Sequence, residues 1–305
     1  MKRLISIAIA FFLSLTGAVF AQGGMGPGPG TVHSTGGGGG GGYTGPGDVS
    51  PGATGWWGMR AYNAAQAAAT ANVADLVSQG AGLAVCTLKL ATSGDLDMVG
   101  TYCGGLTVAA ACAAAAGGSC KITKWYDQSG GGHDMTRAFA TAPLFVVVTT
   151  GSYLAAVQFG AGLQFNNAAM TTAQPHSVVA AIKFPSHGAV QGIVTGSNYE
   201  FSISTAPVLR VKANTASVST LTLSDNTWYA VMGIFQGTSN QSQAHVNTSI
   251  TTGLNSGTNT MPAAIIIGSS SFSEHFLGLI AEVGVWPSNI SGTSPISNIQ
   301  AYGGF

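Results

Sequence analysis

Through the last two thirds of the chain, apolar and polar positions alternate over short spans, and glycine, asparagine, serine or proline separates one span from the next. Strand candidates fall at residues 144–148, 155–159, 177–184, 199–203, 208–212, 228–235, 263–267 and 276–286. Short strands at regular spacing with turn signals between them predict an all-β domain of sandwich or barrel type. Within 208–212 the period of two puts Arg210 and Lys212 on one face and Leu209 and Val211 on the other. Over 276–286 the same rule puts Leu277, Leu279, Ala281, Val283 and Val285 on one buried face, and Phe276, Gly278, Ile280, Glu282, Gly284 and Trp286 on the opposite one. Glu282 then stands in the middle of a sheet face, either bonded to a neighbouring loop or touching a ligand.

The region before residue 134 is mixed. Alanine-rich runs at 61–69 and 106–116 predict short helices, and 83–90 and 121–126 predict strands. This third reads as an elaboration packed on a sheet.

Composition changes the picture at the start of the chain. Met1-Lys2-Arg3, an apolar run to Phe20 and Ala21 describe a secretory signal peptide over 1–21. Residues 22–55 follow as a Gly/Pro-rich segment, with 16 glycines and 4 prolines between 23 and 55. With so little side chain to bury, it is expected to be a flexible tether. Residues 56–305 remain as one domain, and the protein is expected to be secreted or held at the cell surface, with no membrane span in the mature chain. Removing Lys2 and Arg3 leaves eight basic against ten acidic residues, a net charge of −2. No basic field is present for nucleic acid, which is excluded as a partner.

Cys86, Cys103, Cys112 and Cys120 form an even set in an exported chain and read as two disulfides. Three pairings are possible; Cys112 with Cys120 and Cys86 with Cys103 are favoured because each closes a short local loop. No cysteine pair and no histidine pair has metal-ligand spacing, so neither metal nor cofactor is implied. No Gly-x-Ser-x-Gly elbow points to acyl transfer.

Chemistry concentrates in Lys124-Trp125-Tyr126-Asp127-Gln128-Ser129-Gly130-Gly131-Gly132-His133-Asp134, a strand end breaking into a tight loop that holds two carboxylates and a histidine. Either Asp127 and Gln128 there cap loop amides, or Asp127, His133 or Asp134 stands at the mouth of a binding cleft. Preceded by Cys112 and Cys120, this Tyr-Asp-Gln-Ser-Gly segment resembles that of the arabinofuranosidase B catalytic-domain family. Trp57-Gly58-Met59-Arg60-Ala61-Tyr62, Ile265-Ile266-Ile267-Gly268 and Ile299-Gln300-Ala301-Tyr302 extend the resemblance over 56–305. It implies the concanavalin A-like lectin/glucanase fold, a jelly-roll β-sandwich, and an exported α-L-arabinofuranosidase acting on polysaccharide or oligosaccharide, with Asp127 and Trp125 as substrate contacts.

A retaining glycosidase needs two carboxyl groups about 5 Å apart. The family's nucleophile follows two adjacent cysteines, which this chain lacks, and residues 201–224 contain no carboxylate. Its acid follows the Ile-Gly strand, where this chain has serines before Glu274. By elimination Glu200 is the candidate nucleophile and Glu274 the candidate acid. The alternatives are a glycan-binding module presenting aromatics such as Trp57, Trp125, Tyr199 and Trp286, or a structural envelope component.

Overall fold

The computed structural model describes residues 43–150, 152–167, 170–186, 188–269, 274–292 and 295–305. The expected signal peptide and the tether up to residue 42 lie outside the described residues. Eighteen strands are formed: β1 (Gly55–Gly58), β2 (Asn72–Ser78), β3 (Ala84–Lys89), β4 (Cys120–Trp125), β5 (Met135–Thr136), β6 (Leu144–Thr150), β7 (Tyr153–Phe159), β8 (Phe165–Asn167), β9 (His176–Lys183), β10 (Gln191–Gly196), β11 (Tyr199–Ile203), β12 (Val208–Ala213), β13 (Ala216–Thr222), β14 (Trp228–Phe235), β15 (Ser242–Val246), β16 (Ser249–Leu254), β17 (Ile265–Ile267) and β18 (Gly278–Trp286). Four short helices accompany them: α1 (Pro46–Val49), α2 (Ala64–Ala68), α3 (Val108–Ala114) and α4 (Pro295–Gly303).

Pairing is antiparallel throughout and resolves into two layers. The first runs β16-β15-β14-β9-β18, and the free edge of β18 is shared by β7 at residues 278–280 and β1 at residues 282–285. The second runs β3-β2-β4-β5-β8-β17-β10-β11-β12-β13. The β6–β7 hairpin joins the layers along one side through Lys121↔Leu144. Thr220 and Ser217 of β13 bond Thr251 and Asn255 on the other side.

The main core lies between the layers, where Val178, Ala180 and Ile182 of β9 meet Phe201, Val211 and Ile265 of the second sheet. A smaller core covers the outside of the first sheet: Trp228, Met232 and Ala281 pack beneath Ile296 and Ile299 of α4. β9 is therefore buried on both faces, which is why its sequence is continuously apolar rather than alternating. Among the described residues the outside of the second sheet has no such apolar cluster; its strands present mostly polar residues there, with Ile266 and Val218 among them. That asymmetry positions the site.

Alternation held where it was clearest. Arg210 and Lys212 are half-buried while Leu209 and Val211 are fully buried. Over the last strand it did not. Phe276, Ile280, Val283 and Val285 share the main core, whereas Ala281 and Trp286 face the outer one. The register against β9 shifts between Ile280 and Glu282, a bulge that reverses the in/out phase, at the point where β18 changes partner from β7 to β1. Small or polar strands such as β10, β13 and β15, and the C-terminal helix α4, carry no apolar period strong enough to announce them.

Residues 43–54, expected to belong to the tether, pack on the domain. Gly47 N donates to Tyr62 O (2.7 Å), and Trp286 Nε1 donates to Ser50 O (2.8 Å). Burying Trp286 requires an acceptor for its indole N–H, and this segment supplies it. The disulfides are Cys86–Cys103 and Cys112–Cys120.

One buried histidine makes stability depend on pH. His176 packs against Phe235 with ring centroids 4.8 Å apart, its Nδ1 facing Ala173 O and its Nε2 facing the Tyr199 hydroxyl at 3.0 Å. A carbonyl only accepts, so Nδ1 carries the proton and Nε2 receives the tyrosine's. Burial lowers the His176 pKa from its ordinary 6.5 to about 4, against a smaller opposing effect of the Ala173 carbonyl. Between pH 6.5 and 4 the unfolded chain then binds the proton that the folded one refuses, so stability falls as pH drops through that window. The urea midpoint is expected to decline from pH 6.5 to 4 more steeply in the native chain than in His176→Phe. An identical slope in both would refute this.

Candidate functional site

The Tyr-Asp-Gln-Ser-Gly loop is a clamp. Asp127 Oδ1 accepts from Trp56 N (3.0 Å), Ser129 N (2.9 Å) and Ser129 Oγ (2.7 Å), and Oδ2 accepts from His133 N (3.0 Å). Gln128 Nε2 donates to Gly58 O (2.8 Å) and its Oε1 accepts from Tyr62 N (3.2 Å). The loop thus stitches the end of β4 to the Trp56–Tyr62 segment. Gly131 has to be glycine, since a Cβ there would stand 2.5 Å from Thr54 O. Two of the four stretches that carried the family likeness, the loop and residues 57–62, are therefore halves of one contact. Asp127→Ala strands three backbone amides and a hydroxyl, and is expected to lower unfolding free energy by about 2–3 kcal/mol. A urea midpoint unchanged by the substitution would contradict this.

Trp125 is fully buried against Phe165, and Trp57, Tyr199 and Trp286 are equally inaccessible, so all four candidate platform aromatics are core. Glu282 is fully buried too. Arg60 Nε and Nη2 donate to its two oxygens at 2.9 and 3.2 Å, the Tyr153 hydroxyl bonds Oε1, and the Tyr302 ring lies 4.2 Å from the guanidinium. The carboxylate and burial raise the Tyr153 pKa well above 10, burial having the larger effect. This is a packed ion pair, closed to ligands.

What remains open is the outside of the second sheet. Following cross-strand partners from β2 gives one row: Asp75, Lys124, Thr136, Asn166, Ile266, Thr195, Glu200 and Lys212. Asp75, Glu200 and Lys212 are each flanked by core residues on both sides, as Glu200 is by Tyr199 and Phe201, so the row points away from the core. At about 4.8 Å per strand it spans about 34 Å.

Glu200 is its focus. The carboxylate is 2% exposed, with Lys212 Nζ 2.6 Å from Oε1 and Arg210 Nη2 3.0 Å from Oε2. Ser202, two residues on and opposite Arg210, is fully buried, and its Oγ and the neighbouring Arg210 Nε have no hydrogen-bond partner among the described residues. Such atoms normally find a partner, and a protein places them where a ligand or water supplies one. Thr195 donates its hydroxyl to Ser269 O at the end of β17. Gly268 begins that turn with φ +86° and its Cα against the Phe159 ring, where any Cβ would clash. Glu274 lies on the far side of the turn, and Gly192 N of β10 donates to its carbonyl at 3.3 Å. β10 thus separates Glu200 on β11 from the backbone of Glu274, while Asp127 and Trp125 lie elsewhere, in and before the loop after β4. Ser202, Arg210 and Lys212 were missed as a site; the alternation of 208–212 marked the two cations as a shared face, but nothing in the sequence pairs that face with Glu200.

A separate hollow of about 420 Å³ is lined by Val146, Val148, Phe159, Lys183, Leu277 and Leu279 and contains none of the candidate residues. No described helix is long and apolar enough to cross a membrane.

The topology is that of a concanavalin A-like jelly-roll β-sandwich with short helical elaborations near the N-terminus. It is similar to a GH54 α-L-arabinofuranosidase solved with a cyclic sulfate inhibitor (TM-score 0.61, 17% identity, covering 85% of this chain and 66% of that one). It is also similar to an arabinofuranosidase complexed with arabinofuranosyl-α-1,2-xylobiose (TM-score 0.58, 16% identity, covering 85% of this chain and 65% of that one). The chain spans just under two thirds of the length of these structures, and at such identity the likeness is one of fold. No protein-family model and no curated protein matches the sequence.

Proposed function

We propose that this is an exported carbohydrate-active domain that takes a furanose-bearing glycan at the Glu200 patch, and that it hydrolyses terminal arabinofuranosides with Glu200 as nucleophile and Glu274 as proton donor. The observation that carries the reading is the polar group of buried Glu200 and Ser202 with half-buried Arg210, facing out of a sandwich of arabinofuranosidase type. Sugar hydroxyls both donate and accept, so one ring would satisfy Ser202 Oγ and Arg210 Nε together. The main-chain bond between Gly192 N and Glu274 O brings the backbone of the proposed proton donor beside β10, the neighbour of the Glu200 strand. Export is supported by the two disulfides. A binding module without turnover is the second reading, favoured by the two cations that occupy the Glu200 oxygens.

Ser202→Ala tests the patch without disturbing its ion pairs. A hydroxyl with only a structural role would leave glycan handling unchanged on removal. A ligand contact would give unchanged or slightly raised stability with arabinofuranoside affinity weakened by about 3- to 10-fold, the worth of about one hydrogen bond. Unaltered affinity would refute the patch as the site.

A further inference from the structure

The few charges of this chain are not spread evenly. Of eight basic residues among those described, Lys89, Lys121, Lys124, Arg137, Arg210 and Lys212 lie on the outside of the second sheet or reach it. Lys121 projects between the core residues Cys120 and Ile122, and Lys89 shares the side of Thr87, whose hydroxyl bonds Asp75. Arg137 Nη1 stands 3.1 Å from the Asn166 side-chain amide in the middle of the row. The acidic residues of this face are Asp75, Asp134 and Glu200, and Glu274 at its edge makes four. Six basic against four acidic residues stand here; Arg60 and Lys183 against six acidic ones make up the rest of the described chain. The described residues, of net charge −2, thus turn a positive face outward, and it is the face that carries the row.

Much of that charge is neutralised locally. Lys124 pairs with Asp134 at 2.8 Å, and Glu200 takes Arg210 and Lys212 together. Lys121 reaches the carbonyls of Phe139 and Ala140, both at 3.1 Å, and lies over the Phe139 ring, and Arg137 bonds the Thr141 hydroxyl at 2.7 Å and the Asn166 amide, so neither has a carboxylate partner among the described residues. These two flank the row on the Asp75 side, well away from Glu200. A positive strip in an otherwise acidic molecule concentrates anionic ligands and orients them on approach.

We propose that the glycan taken by this domain is a polyanionic polysaccharide, carrying carboxylate or sulfate groups, that lies across the strands along the row, with its anionic units over Lys89, Lys121 and Arg137 and its furanosyl unit at Glu200. The proposal rests on the reading of the Glu200 patch as the glycan site and extends it from a terminal sugar to a charged chain. The row is long enough for several consecutive sugar units, and its exposed middle, Thr136 and Asn166, offers a hydroxyl and an amide beside the Arg137 guanidinium.

The test is titration of the full chain with polygalacturonate, dextran sulfate, neutral debranched arabinan and a single-stranded oligonucleotide, at 20 mM and 300 mM salt, repeated with Lys89→Gln/Lys121→Gln/Arg137→Gln. Unchanged near-ultraviolet dichroism would establish that the variant folds. The expected result is binding of an anionic polysaccharide that weakens with salt and falls about tenfold in the variant, as three exposed charge contacts would give, with arabinan binding unaltered. Preference for polygalacturonate over dextran sulfate would assign carboxylate, and the reverse sulfate. Anionic binding insensitive to the variant, or an oligonucleotide bound as tightly, would overturn the proposal. Arabinan bound equally by both proteins with no anionic polymer bound would also overturn it and leave the Glu200 patch standing. No polysaccharide bound at all would remove both.

Discussion

Arg60→Met is expected to cost about 3–5 kcal/mol of stability, read as a large drop in the urea midpoint. Arg60 and Glu282 are both fully buried, and the pair is made across the bulge where β18 exchanges β7 for β1. The guanidinium also donates to Asn298 Oδ1 at 2.9 Å and lies under the Tyr302 ring, so one side chain ties β18 to the residue after β1 and to α4. Removing it leaves a carboxylate in a dry interior with only the Tyr153 hydroxyl for company. Replacing both charges, in Arg60→Met/Glu282→Leu, is expected to recover a large part of the loss, because the penalty comes from the stranded charge more than from the missing attraction. A single variant within about 1 kcal/mol of the native chain would show that water reaches the pair.

Glu200→Gln is expected to abolish turnover of a chromogenic α-L-arabinofuranoside. Glu274→Gln should reduce it by about 10²–10⁴-fold, the usual worth of a positioned proton donor, and the nucleophile's loss should be at least as large. Glutamine keeps the shape of the side chain but cannot form the glycosyl-enzyme bond. It also leaves Lys212 and Arg210 without their counter-charge, so Ser202→Ala is the companion variant that separates site from scaffold. Turnover present in the native chain and untouched by both carboxylate substitutions would sink the assignment. Binding of arabinofuranoside without turnover in the native chain would leave the site and establish the non-catalytic reading.

Some of this was legible in the residues and some was not. The all-β class followed from the spacing of apolar runs, and both disulfides from their short loops. Asp127 drew notice because two carboxylates and a histidine in one loop are unusual in so uncharged a chain. Its four hydrogen bonds show why: the loop needed acceptors for its own amides. Trp125 drew notice as an aromatic beside that loop, yet hydrophobicity took it inward. Glu200 was reached by elimination alone, since nothing near it in sequence marks a site. Its partners Arg210 and Lys212 lie ten and twelve residues away across a strand pairing.

The sequence by itself determined what is local or counted: strand period, turn residues, loop-closing cysteines and the near absence of charge. These depend on neighbours a few positions apart, where backbone geometry ties spacing to direction. Only the tertiary structure decided which sheet face would be covered by α4 and which left polar. Only it placed a bulge that reversed the phase of β18, and only it set Glu200 and Ser202 against Arg210 and Lys212. Those outcomes follow from pairing between distant strands, where register is set by the packing of two sheets at once and a shift of one residue exchanges inside for outside.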